Sequence, residues 1–304
     1  ETLPAAMASS CAAPRPLLAY LLWTALLIAL FQHEDRAAVG FGGGLPAKPV
    51  KKERGFGGGL ASKSEEEKRR QRRLGKDPST NNARKTLLSE TAEQIFQIGD
   101  LELPLLVPAY VLDYKRFSMM VEAGAGTVSD IVWPAEQALA DTLLLRRELW
   151  QTDGVCEIGA GLGLAGLVAG KSGAPRVLLT DRDALVLEIA QKSAARNGMG
   201  ETVSTAAFDW GDRSSWPKPF NGLVVAADVL YDKEVVPSLV NLILHLDGPA
   251  ILVEPDNIER QSLGSVQYFE EMLQSNGVQF RTEKYFNMKH PSSPMLIISV
   301  SRRS

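Results

Sequence analysis

The sequence predicts an α/β fold: a doubly wound, mostly parallel seven-stranded sheet that ends in an antiparallel hairpin, with a small β element ahead of it. Three observations predict this. From Gly154 onward, short stretches rich in Val, Ile and Leu alternate with amphipathic stretches of ten to fifteen residues, the pattern of right-handed βαβ units around a parallel sheet. The first of these strands runs straight into three glycines within five residues, "GAGLG". The last two β-like stretches are joined by "NMKHPSSP" with no helix between them, so they must pair as a hairpin.

The elements follow in order. The segments "LLSETAEQIFQIGDLELPLLVP" (87–108) and "YVLDYKRFSM" (110–119) hold short apolar stretches with turn signals and read as the small β element. "GVCEIG" is a strand and "LGLAGLVAGKSG" a helix; "RVLLTD" is a strand and "DALVLEIAQKSAARNG" a helix. "ETVSTAAFDW" and "FNGLVVAADVLY" are strands, and "DKEVVPSLVNLILHL" is a helix. "AILVEPD" is a strand, "IERQSLGSVQYFEEMLQSNG" one helix, and "VQFRTEKYF" with "MLIISVS" the closing hairpin.

Composition limits the rest. The 304 residues, 45% hydrophobic and 23% charged, can bury one large core and leave an appendage. The net charge of -3 conceals an asymmetry. Residues 48–85 carry 13 Lys/Arg against 5 Asp/Glu, whereas 86–304 carry 18 against 28. A basic arm therefore precedes an acidic globular part. Residues 1–39 read as a signal-like or membrane-anchor leader: "LLAYLLWTALLIALF" (17–31) is fifteen residues without a charge, short of the roughly 20 that span a bilayer. Residues 40–85, with "GFGGGL" twice and long charged runs, cannot bury a core and read as a disordered linker. Residues 86–304 are the globular domain. No aromatic residues interleave with the basic cluster, so no specific nucleic-acid contact is expected. Membrane contact is expected only through the apolar leader. That leader with its basic follow-on also resembles the two-part leaders of proteins sent to secondary plastids, which leaves ER routing, plastid routing, an anchor or a cytoplasmic location open. Two cysteines and three scattered histidines exclude a disulfide framework, and no metal site is expected. A monomer is expected.

The site is sought at the carboxyl ends of the strands, where doubly wound sheets bind ligands. "VCEIGAGLGLAG" (155–166) reads two ways. From Gly161 it is the dinucleotide fingerprint G-x-G-x-x-G. From Glu157 it is the E-x-G-x-G-x-G loop that holds S-adenosylmethionine. Either way Glu157, Gly159, Ala160, Gly161 and Gly163 bring backbone close to a nucleotide, with the following helix aiming its positive end at it. Asp181, ending the second strand, suits a ribose diol, with Asp183 as helix cap. Asp209 and Trp210, ending the third, offer an adenine an acceptor and a flat apolar wall. Asp228 and Tyr231, ending the fourth, put a carboxylate and a phenol where a group acceptor would arrive. Trp133, before the helix in "SDIVWPAEQALADTLL", is either a cofactor wall or a docking anchor.

Taken together, "IVWPAEQALA", "CEIGAGLGLAGL", "LLTDRDALVLEIAQKSAARN", "FDWGD" and "ADVLYD" resemble the seven-β-strand S-adenosylmethionine-dependent protein methyltransferases of family 16, over about residues 90–304. The family includes calmodulin-lysine, electron-transfer-flavoprotein-lysine and chaperone-lysine methyltransferases. The resemblance implies a Rossmann-like methyltransferase fold, S-adenosylmethionine as cofactor and a protein substrate, most often its lysine. It implies that Trp133 lines the cofactor site, that Gly159 to Gly163, Asp181, Asp209 and Trp210 bind cofactor, that Ala227 gives backbone contact, and that Asp228 and Tyr231 form the catalytic D-x-x-Y motif. Loops 211–219 and 286–294 are expected to select the acceptor. The rival readings are an NAD-dependent oxidoreductase and a non-catalytic docking module of the same fold.

Overall fold

The computed structural model describes residues 78–122, 125–285 and 294–302. The expected leader, the linker as far as residue 77 and most of the 286–294 loop lie outside the described residues. The chain enters on helix α1 (Pro78–Ser89), which corrects the domain boundary. The segment read as disordered linker to residue 85 is helical from Pro78. Its residues show no apolar stripe; a buried arginine, Arg84, holds the helix to the domain through hydrogen bonds.

Strands β1 (Thr91–Ile98) and β2 (Leu101–Pro108) form the small antiparallel sheet, in register from Thr91↔Pro108 to Ile98↔Leu101. The apolar half of this hairpin is buried, and α5 (Ala184–Arg196) pins its edge. Ser193 Oγ accepts from the Leu106 N–H at 2.9 Å, and Asn197 donates to the Pro104 carbonyl at 2.7 Å. Residues 110–119 are not β, contrary to the sequence reading. They form a short 3-10 turn (Ala109–Leu112) and helix α2 (Tyr114–Glu122). Asp113 Oδ1 accepts the Arg116 N–H at 3.1 Å, an Asp cap that initiates a helix.

The main sheet has the order β5-β4-β3-β6-β7-β9-β8. Its strands are β3 (Val155–Ile158), β4 (Val177–Asp181), β5 (Val203–Ala207), β6 (Leu223–Ala227), β7 (Ala250–Pro255), β8 (Phe280–Tyr285) and β9 (Met295–Val300). All neighbours from β5 to β7 are parallel; β9 runs antiparallel between β7 and β8. The doubly wound sheet, its parallel majority and its closing hairpin are therefore as the sequence predicts, with the last strand inserted inside the sheet rather than at its edge.

Helices cover both faces, which explains why β3 and most of β6 are buried on both sides and read as unbroken apolar runs. On one face, Cys156, Ile158, Val224, Ala226 and Leu252 pack against α6 (Val236–Leu246) and α8 (Ser265–Ser275). On the other, α3 (Pro134–Leu145) packs on β6 and β7, and α4 (Leu164–Lys171) on β3 and β4. The stretch read as one helix over 258–277 is two, α7 (Ile258–Leu263) and α8, broken at Gly264 with φ +64°. Among the described residues no helix is long and apolar enough to cross a membrane. The chain runs outward from β3 through β4 to β5, then returns to lay β6 on the other side of β3. That reversal opens a crevice over the carboxyl ends of β3 and β6.

Candidate active site

The glycine loop follows β3 into this crevice. Gly159, Gly161 and Gly163 have φ of +68°, +52° and +74°, a region that L side chains avoid. Space is as tight as the torsions. A Cβ on Gly159 would lie 3.1 Å from Trp210 Cζ2 and 3.2 Å from Val229 Cγ1; one on Gly161 would lie 3.0 Å from the Ser129 carbonyl oxygen. The loop is thus threaded between the turn after β5, the segment after β6 and the segment before α3. Its own ladder is short: the Ala160 N–H donates to the Thr180 carbonyl at 2.8 Å, and the Ala160 carbonyl accepts from Gly163 at 2.7 Å. Asp181, buried at the end of β4, accepts from the Gly161 N–H at 3.0 Å and the Asp183 N–H at 2.9 Å. Burial pushes its carboxyl above the ordinary value. A carboxylate oxygen has two lone pairs, so Asp181 both braces the loop and retains capacity for hydroxyl donors. Asp183 caps α5 through the Leu185 N–H at 3.0 Å, as expected.

One expectation is corrected here. The Ala165 and Gly166 amides in the first turn of α4 are not free to meet a ligand. Glu136 Oε1 accepts from the Ala165 N–H and Glu157 Oε2 from the Gly166 N–H, both at 2.8 Å. Glu157 is 0% exposed. It lies beneath the loop and supports it rather than facing the crevice. Glu136 and Glu157 are buried neighbours, each accepting one of these amides. Burial, then the charge of Glu136, pushes Glu157 well above the usual carboxylate range. Its Oε1 has no hydrogen-bond partner, an arrangement that favours the neutral carboxyl over the charged one. The third glycine of the fingerprint, Gly166, is a packing glycine: a Cβ there would lie 2.4 Å from Leu179 Cδ2.

The other residues expected on the nucleotide side lie around the loop. Asp209 is exposed, and its Oδ1 accepts from the Gly211 N–H at 2.8 Å, forming a tight turn. That turn sets Trp210 against Gly159, while the Trp210 carbonyl takes the Trp216 indole N–H at 3.2 Å. Trp133 caps α3, and its indole N–H donates to the Val128 carbonyl at 2.9 Å. This fixes the ring on the segment whose Ser129 touches Gly161. Ala227 is the last residue of β6, paired with Val253.

Past Ala227 the site changes character. Asp228 has φ +53° and donates its N–H to the Val253 carbonyl at 2.9 Å. The next two amides, Val229 and Leu230, donate to the Glu254 carboxyl at 2.9–3.3 Å. Glu254, at the end of β7, is buried; burial first and Asp228 second push it up to about 8. The Asp228 side chain is 9% exposed, and the Arg260 guanidinium on α7 sits on its Oδ1 at 2.5 Å. Burial raises the Asp228 carboxyl and Arg260 pulls it back. Tyr231 is 44% exposed at the mouth. Its hydroxyl is held above the ordinary value by burial, with Arg182 opposing and Asp181, Asp232 and Asp228 reinforcing. Val229, which follows Asp228, lies against Gly159, so the two ends adjoin through the glycine loop. The sequence reading missed Glu254 and Arg260. Glu254 ends the fifth parallel strand, so reading every strand end would have found it; Arg260 carries no sequence signal.

A second unanticipated group braces the rim. Asp130, 0% exposed, accepts from Arg84 at 2.7 and 2.9 Å, from the Thr127 N–H at 2.7 Å and from the Tyr110 hydroxyl. Arg84 also binds Asp183 and the Thr127 hydroxyl. One guanidinium therefore ties α1, the segment before Trp133 and the cap of α5 together. Among the described residues no cluster of side chains could hold a metal ion.

A family model described as lysine methyltransferase matches residues 113–275. The chain is 34% identical over 124 residues to protein N-lysine methyltransferase METTL21A of Xenopus tropicalis, covering 40% of this chain and 56% of that protein. It is 28% identical over 143 residues to EEF1A lysine methyltransferase 3 of Mus musculus (47% and 61%). It is 32% identical over 108 residues to histone-arginine methyltransferase METTL23 of Homo sapiens (34% and 55%). The chain spans little more than half the length of the curated relatives it matches.

Proposed function

The chain belongs to the lysine methyltransferase family, and from that premise we propose that it transfers a methyl group from S-adenosylmethionine to a side-chain nitrogen of a protein, a lysine in the first instance. One observation carries the reading: Gly159 lies against both Trp210 and Val229, so a glycine cradle braced by Asp181 adjoins the strained, nearly buried carboxylate at Asp228. The donor set fits the cofactor. Left-handed glycines allow close approach, Asp181 keeps lone pairs for hydroxyls, and Asp209 with Trp210 offers an acceptor beside an aromatic face. Bound S-adenosylmethionine would supply a methyl group on a sulfonium, which leaves as a neutral thioether and so needs no acid. The residues' task is position. A lysine must present a neutral amine, whose ordinary pKa is about 10.4; partial desolvation at the mouth lowers that value, against the opposing pull of the Asp228 carboxylate, and the proton leaves to water. Asp228 and Tyr231 then hold the nitrogen in line. METTL23 is described as an arginine methyltransferase, so the choice between lysine and arginine rests on the acceptor loops rather than on the shared motifs. We propose further that the chain acts as a monomer on a protein substrate. In this reading the apolar segment 17–31 provides any membrane contact and either ER or plastid routing.

The test is transfer from methyl-labelled S-adenosylmethionine to proteins of a cell lysate, followed by hydrolysis and amino-acid analysis. Methyl-lysine is expected, with Asp228→Asn lowering incorporation at least about tenfold, the equivalent of 1.4 kcal/mol of barrier. Wild-type incorporation by Asp228→Asn would remove Asp228 from the reacting centre.

A further inference from the structure

Asp228 already has a cationic partner. Arg260 reaches it from α7, a short helix bounded by a left-handed Gly264 and started by Asn257, whose Oδ1 accepts the Arg260 N–H at 2.9 Å. The groups around Asp228 are unequal. Glu254 beneath it is a buried acid engaged with two backbone amides, Tyr231 beside it is a phenol, and Arg260 is the cation bound to it. The Arg260 side chain is 24% exposed and also lines a groove of about 300 Å³ with Pro255, Gln261, Glu270, Thr282 and Leu296. Arg260 thus stands between the nearly buried Asp228 carboxylate and a mixed polar and apolar groove whose acid, Glu270, accepts the Thr282 hydroxyl and is a second site for its charge.

We propose that Arg260 is an internal stand-in for the acceptor: its guanidinium occupies Asp228 until a basic nitrogen of the substrate displaces it toward the groove. This rests on the reading of Asp228 as the acceptor carboxylate. It deepens that reading by fixing the acceptor's chemistry. The substrate nitrogen arrives protonated, exchanges for Arg260, and sheds its proton to water before transfer, so neutral oxygen and carbon acceptors cannot displace Arg260. Arg260 acts through Asp228 and is a positioning residue, not a catalytic one. Like-charge exchange of this kind suits a carboxylate that is too buried to stand unpaired.

The test needs no knowledge of the substrate. Sinefungin carries an ammonium where the donor carries its methyl group, whereas S-adenosylhomocysteine carries nothing there. Both are titrated calorimetrically into the full chain, wild type, Arg260→Gln and Asp228→Asn. In wild type the sinefungin ammonium must compete with Arg260. In Arg260→Gln the preference for sinefungin over S-adenosylhomocysteine should rise about tenfold, with S-adenosylhomocysteine affinity nearly unchanged, and in Asp228→Asn the preference should vanish. If Arg260 merely supports the fold, its replacement weakens both ligands together and the ratio stays put, which overturns the proposal while leaving the cofactor reading intact. Failure of wild type to bind S-adenosylhomocysteine at all overturns both. Should Arg260→Gln not fold, Arg260→Met, of similar length and without charge, takes its place with the same expected ratio.

Discussion

Asp228 holds a backbone conformation that costs most residues on the order of 1–3 kcal/mol. It is held by its N–H on Val253 and by Glu254, which gathers the two amides that follow. Removing that carboxyl leaves two buried donors unpaired, at about 1–3 kcal/mol each. Glu254→Ala should therefore melt well below wild type and lose methyl transfer. Glu254→Gln, which keeps an acceptor and mimics the protonated acid favoured below about 8, should melt close to wild type at pH 6. Equal melting of the two variants would show that these hydrogen bonds do not hold Asp228. At the other end of the crevice, Gly159→Ala must place a methyl group 3.1 Å from Trp210 at φ +68°. S-adenosylhomocysteine affinity should fall at least about tenfold, and an unchanged Kd would mean that the loop does not hold the nucleotide. The candidate positions were legible in sequence because they are polar or glycine residues at the ends of apolar strands, where solvation alone gives them no reason to be. Glu157 misled for the same reason: it ends a strand, but its side chain points back under α4, and side-chain direction at a strand end cannot be read from alternation.

At the scale of elements, the sequence revealed what apolar periodicity reveals. The βα units, the closing hairpin and a β element ahead of them follow from runs of Val, Leu and Ile; the strand order, with its switch from β5 to β6, does not. What it hid is held by polar contacts. Helix α1 has no apolar stripe, and a composition-based reading takes "KDPSTNNARK" for linker; yet Arg84 there meets Asp130 and Asp183 and is 9% exposed. The break between α7 and α8 at Gly264 was hidden too, because a single glycine within an amphipathic run is tolerated in many helices. Arg84→Ala leaves Asp130 buried without its cation, which costs about 3–5 kcal/mol. In urea the variant should lose that much stability. It should also bind S-adenosylhomocysteine more weakly, since Asp183 and the Ser129 segment both adjoin the loop. A loss below about 1 kcal/mol, typical of a surface ion pair, would show that α1 is an ornament to the domain rather than part of it.

Across the whole molecule, the carboxyl ends of the strands collect buried acids: Glu157 under the loop, Asp181 beside it, and Asp228 with Glu254 at the acceptor end. Burial is the first cause that raises each of them. A carboxyl raised in the folded state stabilises fully below its unfolded value, near 4, and loses that contribution as pH climbs through the folded value. For Glu254 the window runs up to about 8. The melting temperature should therefore fall between pH 6 and pH 9, and a rise over that range would contradict the burial of these acids as protonated groups. The concentration of acids at one end of the sheet was visible as strand-ending residues, but the proximity of Glu136 to Glu157 was not, since Glu136 comes from a helix that sequence places 21 residues before Glu157. What fills the crevice decides between a methyl donor and a dinucleotide. Calorimetric titration of the full chain with S-adenosylhomocysteine, with NAD as the control, should give a micromolar Kd that disappears in Asp181→Ala and Trp210→Ala, and no heat from NAD. A folded chain that ignores S-adenosylhomocysteine, or that binds NAD in its place, would contradict the methyl-donor reading.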